Sequence, residues 1–223
     1  VHTAGQHVGH GSFNPRINIR SNGIYSIEMD GTAITGNNGD TVTVDSGGTL
    51  RRDGTAGEAV VDWNIVNRGA IDVRQGSLSF VESGSIGGVS TVSGGALLHL
   101  DTGSFTMEDT GRITGAGEFK TTASITLASG AFEVDCPAVL TTGTSLGGSG
   151  ALTLTSGGTV GGGLIITTGT TDVRSRVFHT NGLVVGHASF NPRFVISANG
   201  ILEYPDETGG FFGNSGDYIT NHV

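Results

Sequence analysis

Six of the chain's seven histidines lie in two terminal stretches, His2, His7 and His10 near one end and His179, His187 and His222 near the other. Imidazoles close in sequence, with acids nearby, are the side chains from which a transition-metal site is built. The acids that accompany them sit in "GNNGD" (Gly36–Asp40) and again in "GNSGD" (Gly213–Asp217). That phrase is close to half of a calcium-binding glycine-aspartate loop, and it makes Asp40 and Asp217 the calcium candidates. It lacks the further residue that the calcium pattern places between glycine and aspartate. A turn in which Asn and Gly take left-handed angles, with the aspartate bonding nearby amides, accounts for the same residues without a metal. No metal or other cofactor is therefore expected.

Hydrolytic chemistry on a polysaccharide requires carboxylates gathered on one face. Acids of the body such as Asp62, Asp72, Glu82, Asp101, Glu108, Asp109, Glu118, Glu133 and Asp135 are spread along the chain, and only Glu108–Asp109 are adjacent. Neighbours on a strand point to opposite faces, so that pair is poorly placed for joint acid and base work. "GGSGA" (Gly147–Ala151) lacks the strand-to-helix turn of a serine nucleophile elbow. Cys136, in "FEVDCPAVL", reads as a small buried hydrophobe. Threonines at "ALTLT" (Ala151–Thr155) and "TTGTTDV" (Thr167–Val173) form no array recurring at fixed intervals, as ice binding needs, and are read as ordinary strand formers. No enzyme activity is expected.

The strongest signal is a repeat. "VGHGSFNPR" (Val8–Arg16) returns as "VGHASFNPR" (Val185–Arg193), a constant offset of 177 (185 minus 8) at which 20 of the 46 aligned terminal positions are identical. The chain thus divides into residues 1–46, a body of residues 47–177, and residues 178–223, a second copy of the first element. Asn-Pro forces an extended residue before a fixed turn, the phenylalanine offers an apolar anchor, and the arginine offers a planar donor fork. His10, Phe13, Asn14, Pro15 and Arg16, with His187, Phe190, Asn191, Pro192 and Arg193, are therefore the candidate junction residues. Two readings fit them equally: a loop that caps the end of a rod, with Phe13 packed and Arg16 paired locally, or a docking element that meets its counterpart in the next unit.

The elements that would position these loops are short strands. From about residue 69 apolar residues alternate in runs of four or five, as in "SLSFV" and "AFEV", bounded by Gly, Ser, Thr or Asp and recurring mostly every six to eight residues. Gly-apolar-polar-apolar phrases start at the evenly spaced Gly76, Gly103 and Gly130. Such loose periodicity suits a parallel β-solenoid, with coils of about 20 to 27 residues, better than a sandwich with fixed hairpins. Leu78 and Phe80, Phe105 and Met107, Ile125 and Leu127, Phe132 and Val134, and Leu152 and Leu154 are expected inside, with the intervening polar residues outside. The predicted fold is an all-β rod of roughly ten coils, about 50 Å long at about 4.8 Å per coil.

The body (Gly47–Val173), with "GGSGALTLTSGGTVGGGLIITTGTTDV", "GSLSFVESGSIGG" and "GSFTMEDTGRITGAGEF", resembles the glycine-rich β-strand repeats of autotransporter passengers and haemagglutinin-like adhesins of bacterial surfaces. The resemblance is one of style. It implies a parallel β-helix, secretion, and a role in adhesion or in extended surface structures.

Composition narrows the partners. Forty glycines, 14% charged and 6% aromatic residues suit many strands joined by tight turns, and 35% hydrophobic residues supply a core. The net charge of -9, with ten arginines and one lysine scattered, argues against nucleic acid. One cysteine allows no internal disulfide, so packing and backbone bonding must carry the fold. No apolar run reaches membrane-helix length and no secretion signal is visible; starting at Val1, the chain reads as a mature or excised piece of a longer precursor. There is no Asn-x-Ser/Thr sequon. The expected function is a non-enzymatic extracellular or cell-surface structural protein, the repeating unit of a head-to-tail filament in which the chain's partner is itself. The alternatives are an adhesin stalk presenting Tyr204, Phe211 and Phe212 to a glycan or host surface, and a β-helical polysaccharide-degrading enzyme.

Overall fold

A computed structural model describes residues 1–9, 13–36, 39–109, 111–141, 143–161, 163–180, 183–185, 192–203, 211–212 and 218–221. Among them every regular element is a strand, and the strands form three parallel ten-stranded sheets. The chain visits the sheets in rotation. His7–Val8 opens the first sheet, Arg16–Ile19 the second and Ile24–Ile27 the third, and Gly31–Thr35 then returns to the first beside His7–Val8. Every third strand is thus a hydrogen-bonded neighbour, as the order of each sheet records. This is the expected parallel β-solenoid.

The alternation places the side chains. All ten apolar residues predicted to face inward are at most 3% exposed, from Leu78 and Phe80 to Leu152 and Leu154. Residues stack along the axis: Leu78 lies between Ala59 and Leu98, and Phe105 between Gly84 and Ile125. Cys136 is fully buried, and burial pushes its thiol up to about 12. Two of the threonines weighed for an outward array are also covered, Thr171 at 0% and Thr153 at 6% exposure.

The coil length corrects one reading of the periodicity. Ser77 pairs with Leu97 and Leu97 with Glu118, so a body coil is shorter than the interval from Gly76 to Gly103. That interval, repeated from Gly103 to Gly130, is not a coil, because the strands that follow the three glycines, Ser77–Phe80, Ser104–Met107 and Ala131–Asp135, belong to the first, second and third sheets in turn. It measures one coil plus one strand. The column that does mark each coil of the body is at the corner leading into the third sheet, where Gly48, Gly69, Gly88, Gly111, Gly130, Gly150 and Gly169 each precede a strand. The coils come so close there that a methyl at Gly88 would lie 1.8 Å from the Gly69 carbonyl oxygen, and one at Gly150 1.8 Å from that of Ala128. Glycine carbonyls in this column accept the first amide of the next coil's strand, as Ala70 N to Gly48 O at 2.9 Å and Thr170 N to Gly150 O at 3.1 Å.

One inward position breaks the apolar rule. Arg52, following the outward Arg51 in Thr49–Arg52, is fully buried. Its guanidinium donates to the carbonyls of Ile27, Met29, Thr55 and Gly57 and to Asp30 Oδ1 at 2.5 Å, pinning the corner of residues 53–57. A buried cation is tolerated where acceptors surround it in this way; here both terminal nitrogens are met, while Nε has no partner among the described residues.

Candidate functional site: the corner that carries the repeated motifs

Coils near the start of the chain are longer than those of the body: His7 pairs with Ile34 and Arg16 with Thr41, whereas Ser77 reaches its partner at Leu97. The extra length falls at the corner from the first sheet to the second, residues 9–15 in one coil and 36–40 in the next. The two repeated motifs, far apart in sequence, are thereby stacked on each other. Thr41 N donates to Pro15 O at 3.1 Å, and Gly9 N to Thr35 O at 2.7 Å. Asn14 lies over Gly39, where a methyl would be 2.8 Å from Asn14 Oδ1. Gly39 has φ 118°, a conformation other residues rarely adopt.

Asp40 is 1% exposed and is seated between the two loops. A methyl at Gly9 would lie 1.7 Å from its Oδ2, and one at Gly36 2.0 Å from the same oxygen and 2.3 Å from Trp63 Nε1. Trp63, 3% exposed, closes the corner one coil further on. The aspartate considered for calcium is thus buried in the joint between coils, and its backbone carbonyl accepts from Asn64 N at 3.0 Å. Gly9, Gly36 and Asp40 all recur in the second copy, as Gly186, Gly213 and Asp217. In the first copy, the recurring glycines are the space in which the recurring carboxylate sits.

The motif's other residues face outward. Phe13 is 72% exposed, so it is not the packed anchor of the capping reading, although the loop around it is part of a coil. Asn14 and Arg16 are exposed, and among the described residues Arg16 makes no ion pair. In the second copy Pro192 is buried and Arg193 exposed, while His187, Phe190, Asn191 and Asp217 lie outside the described residues, as do His10 and Tyr204. Phe211–Phe212 forms a strand of the second sheet.

The histidines divide. His2 is buried; its Nε2 donates to Gly5 O at 3.1 Å, which leaves Nδ1 to accept from the Tyr25 hydroxyl at 3.2 Å. His7 packs edge-on against it, ring centroids 4.5 Å apart, and burial together with His2 lowers its pKa. Burial raises the Tyr25 phenol to about 12. The second copy keeps His179 but has Val184 and Leu202 in place of His7 and Tyr25, so this aromatic contact is not part of what repeats. Among the described residues no three potential ligands are gathered.

The fold also brings together two acids that the sequence leaves a coil's length apart. Glu82 is held above its usual range by burial and by the neighbouring carboxylate of Asp62. Asp62 is itself approached by Thr35 Oγ1 at 3.4 Å.

The second copy rebuilds the same local geometry on a different face. Asn22 and Asn199 both adopt left-handed angles, φ 62° and 72°, and the turns close alike, Gly23 N to Arg20 O at 2.8 Å and Gly200 N to Ser197 O at 2.7 Å. Arg193 pairs with Tyr218 just as Arg16 does with Thr41, at the same separation. Yet Arg16–Ile19 belongs to the second sheet and Arg193–Ile196 to the third. Ile24–Ile27 belongs to the third and its counterpart Ile201–Glu203 to the first.

Comparison of the chain with family models, curated proteins and solved structures returns no match.

Proposed function

We propose that this chain is a stretch of a non-enzymatic, extracellular structural solenoid, built from a unit that follows itself head to tail at the offset separating Val8 from Val185. One observation carries the reading: the second copy of the terminal element continues the same three sheets. Arg193–Ile196 is hydrogen-bonded along Thr170–Val173 of the body on one side and Tyr218–Asn221 on the other. A repeat that stacks on the end of its own body is a propagating contact, since whatever it bears next presents the same seat again. The buried, glycine-seated Asp40 and the glycine corner column are packing devices, which suits a rod whose work is mechanical. An acidic, disulfide-free rod held by backbone ladders is suited to an exposed surface structure, in keeping with the style of autotransporter and haemagglutinin-like repeats. Electron microscopy of the full chain at high concentration and of native material tests the reading: rods lengthening by whole units are expected, and compact monomers under all conditions would sink it.

The exposure of Phe13 beside Arg16, in a motif that recurs, favours one second reading, an adhesin stalk whose motif corner contacts a glycan or host surface. Binding on a glycan array that disappears in Phe13→Ser would support it over the filament.

A further inference from the structure

The change of sheet between the two copies has a numerical cause. His7–Val8 is the first strand of the chain and Leu183–Val185, its counterpart, the twenty-sixth, so the repeat advances by 25 strands: eight three-strand coils and one strand over. All five pairs of counterpart strands obey the rule. His7–Val8 and Gly31–Thr35 are on the first sheet and Leu183–Val185 and Phe211–Phe212 on the second; Arg16–Ile19 and Thr41–Val44 are on the second and Arg193–Ile196 and Tyr218–Asn221 on the third. Ile24–Ile27 and Ile201–Glu203 complete the set, third sheet to first. The pairing register is kept between Arg16 and Thr41 and between Arg193 and Tyr218, and slips by a single position where Val184 meets Phe212 but His7 meets Ile34.

We infer that the partner of this unit is a further copy of itself, each following the last on a three-fold screw of eight and one-third coils, with residues 178–223 forming the start of the next copy. The inference rests on the head-to-tail reading above. The seat is occupied once within the chain itself: the coil of Gly158–Gly161, Ile165–Ile166 and Thr170–Val173 carries a copy of the element directly, with Arg193 N donating to Gly169 O at 2.9 Å. Arg16, Ile19, Asn22, Gly23 and Ile24 match the residues that occupy that seat in the second copy. The motif corner consequently moves to the next edge of the triangular rod at each unit. In this chain it is the corner from the first sheet to the second in copy one, and from the second to the third in copy two. Three units bring it back to the starting edge, and the exposed Phe13 position is offered to all sides of the rod.

Two arrangements are separable: units that share residues 178–223 with the unit that follows, and whole chains stacked end to end. Addition on the screw advances each unit by about 40 Å, at about 4.8 Å per coil, with a third of a turn. Simple end-to-end stacking of all thirty strands advances it by ten coils, about 48 Å, with no such turn. Thr91→Cys places a thiol on an exposed, outward position while Cys136 stays buried, so gold labelling reads the step directly. In fibres grown from a chain extended by residues 47–223, its two labels are expected ~40 Å apart on successive edges; two labels ~48 Å apart along one edge would overturn the screw while leaving the filament intact. A second measurement needs no fibre: a chain extended by residues 47–223 once more should gain about 40 Å in maximum dimension by solution scattering, at unchanged cross-section. A second, separately tumbling body overturns the inference. An extended chain that gains this length but forms no fibres instead overturns the filament reading alone.

Discussion

Arg52 donates to Asp30 from inside the core: its Nη2 is 2.5 Å from Asp30 Oδ1, the arginine side chain is 0% exposed, and the aspartate side chain is 48% exposed. The bridge joins the third sheet to the corner that follows it. Replacing Arg52 by Met removes a donor from the Met29 and Thr55 carbonyls and one of two donors from those of Ile27 and Gly57, and is expected to cost about 2–4 kcal/mol in denaturant unfolding. Asp30→Asn should cost much less, since its carboxylate is solvated and keeps its Thr55 partner. Equal losses for the two variants would contradict this picture.

The glycine corner column makes a sharper distinction. Gly88→Ala and Gly150→Ala each drive a methyl into a backbone carbonyl and should destabilise the chain by about 2–4 kcal/mol. At Gly94, where the nearest atom is 3.7 Å from the added methyl, the same change should stay within about 0.5 kcal/mol. Thermal unfolding of the three variants checks the ranking.

Within the motif corner, packing and surface roles should separate. Gly36→Ala collides with Asp40 and Trp63 and should lower stability. Phe13→Ser changes an exposed side chain, should leave stability within about 0.5 kcal/mol, and should alter assembly or surface binding if the corner is a contact. Denaturant unfolding and sedimentation of the two variants read the two roles separately.

Acidity acts through Glu82 in a defined direction. Its folded value is raised by burial and by Asp62, so the stability it contributes is present below the ordinary carboxyl range and is lost as pH rises through the folded value. Glu82→Gln should therefore stabilise at about pH 7, by less than about 1 kcal/mol for so solvated a pair, and bring no gain at about pH 4. Unfolding midpoints at the two pH values decide it.

Cys136, fully buried with its thiol pushed up to about 12, should resist thiol reagents at about pH 8 in the folded chain and react at once in denaturant. Rapid labelling of the folded chain would show that the core around it opens.

How far the fold could be read before folding differs from residue to residue. Leu78, Phe105 and Leu152 announced their burial through alternation, because a strand's period of two is local. Arg52 did not: a charged residue at an inward position is recognisable only when the corner that supplies its carbonyl acceptors is in place. Gly36 and Asp40 could be seen to recur with Gly213 and Asp217, but not that Gly9 joins them to make one buried seat. That contact depends on the long coil that closes from His7 to Ile34. Glu82 and Asp62 looked scattered for the same reason. The glycines before the third-sheet strands of the body, stepping from Gly48 to Gly69 to Gly88 and on to Gly169, were the signal for coil length that the phrase at Gly76, Gly103 and Gly130 obscured.

By itself the sequence determined the class of fold, the inward set of side chains and the existence of a unit that begins again between Val8 and Val185, since alternation, glycine placement and self-similarity are properties of neighbours and offsets along the chain. Only the tertiary structure decided that Arg16 and Arg193, ending the same motif, lie on different sheets. Which face a residue occupies depends on the number of strands wound before it, and that number is set by how each coil divides its residues between strands and corners: 25 strands in one unit leave one strand over three.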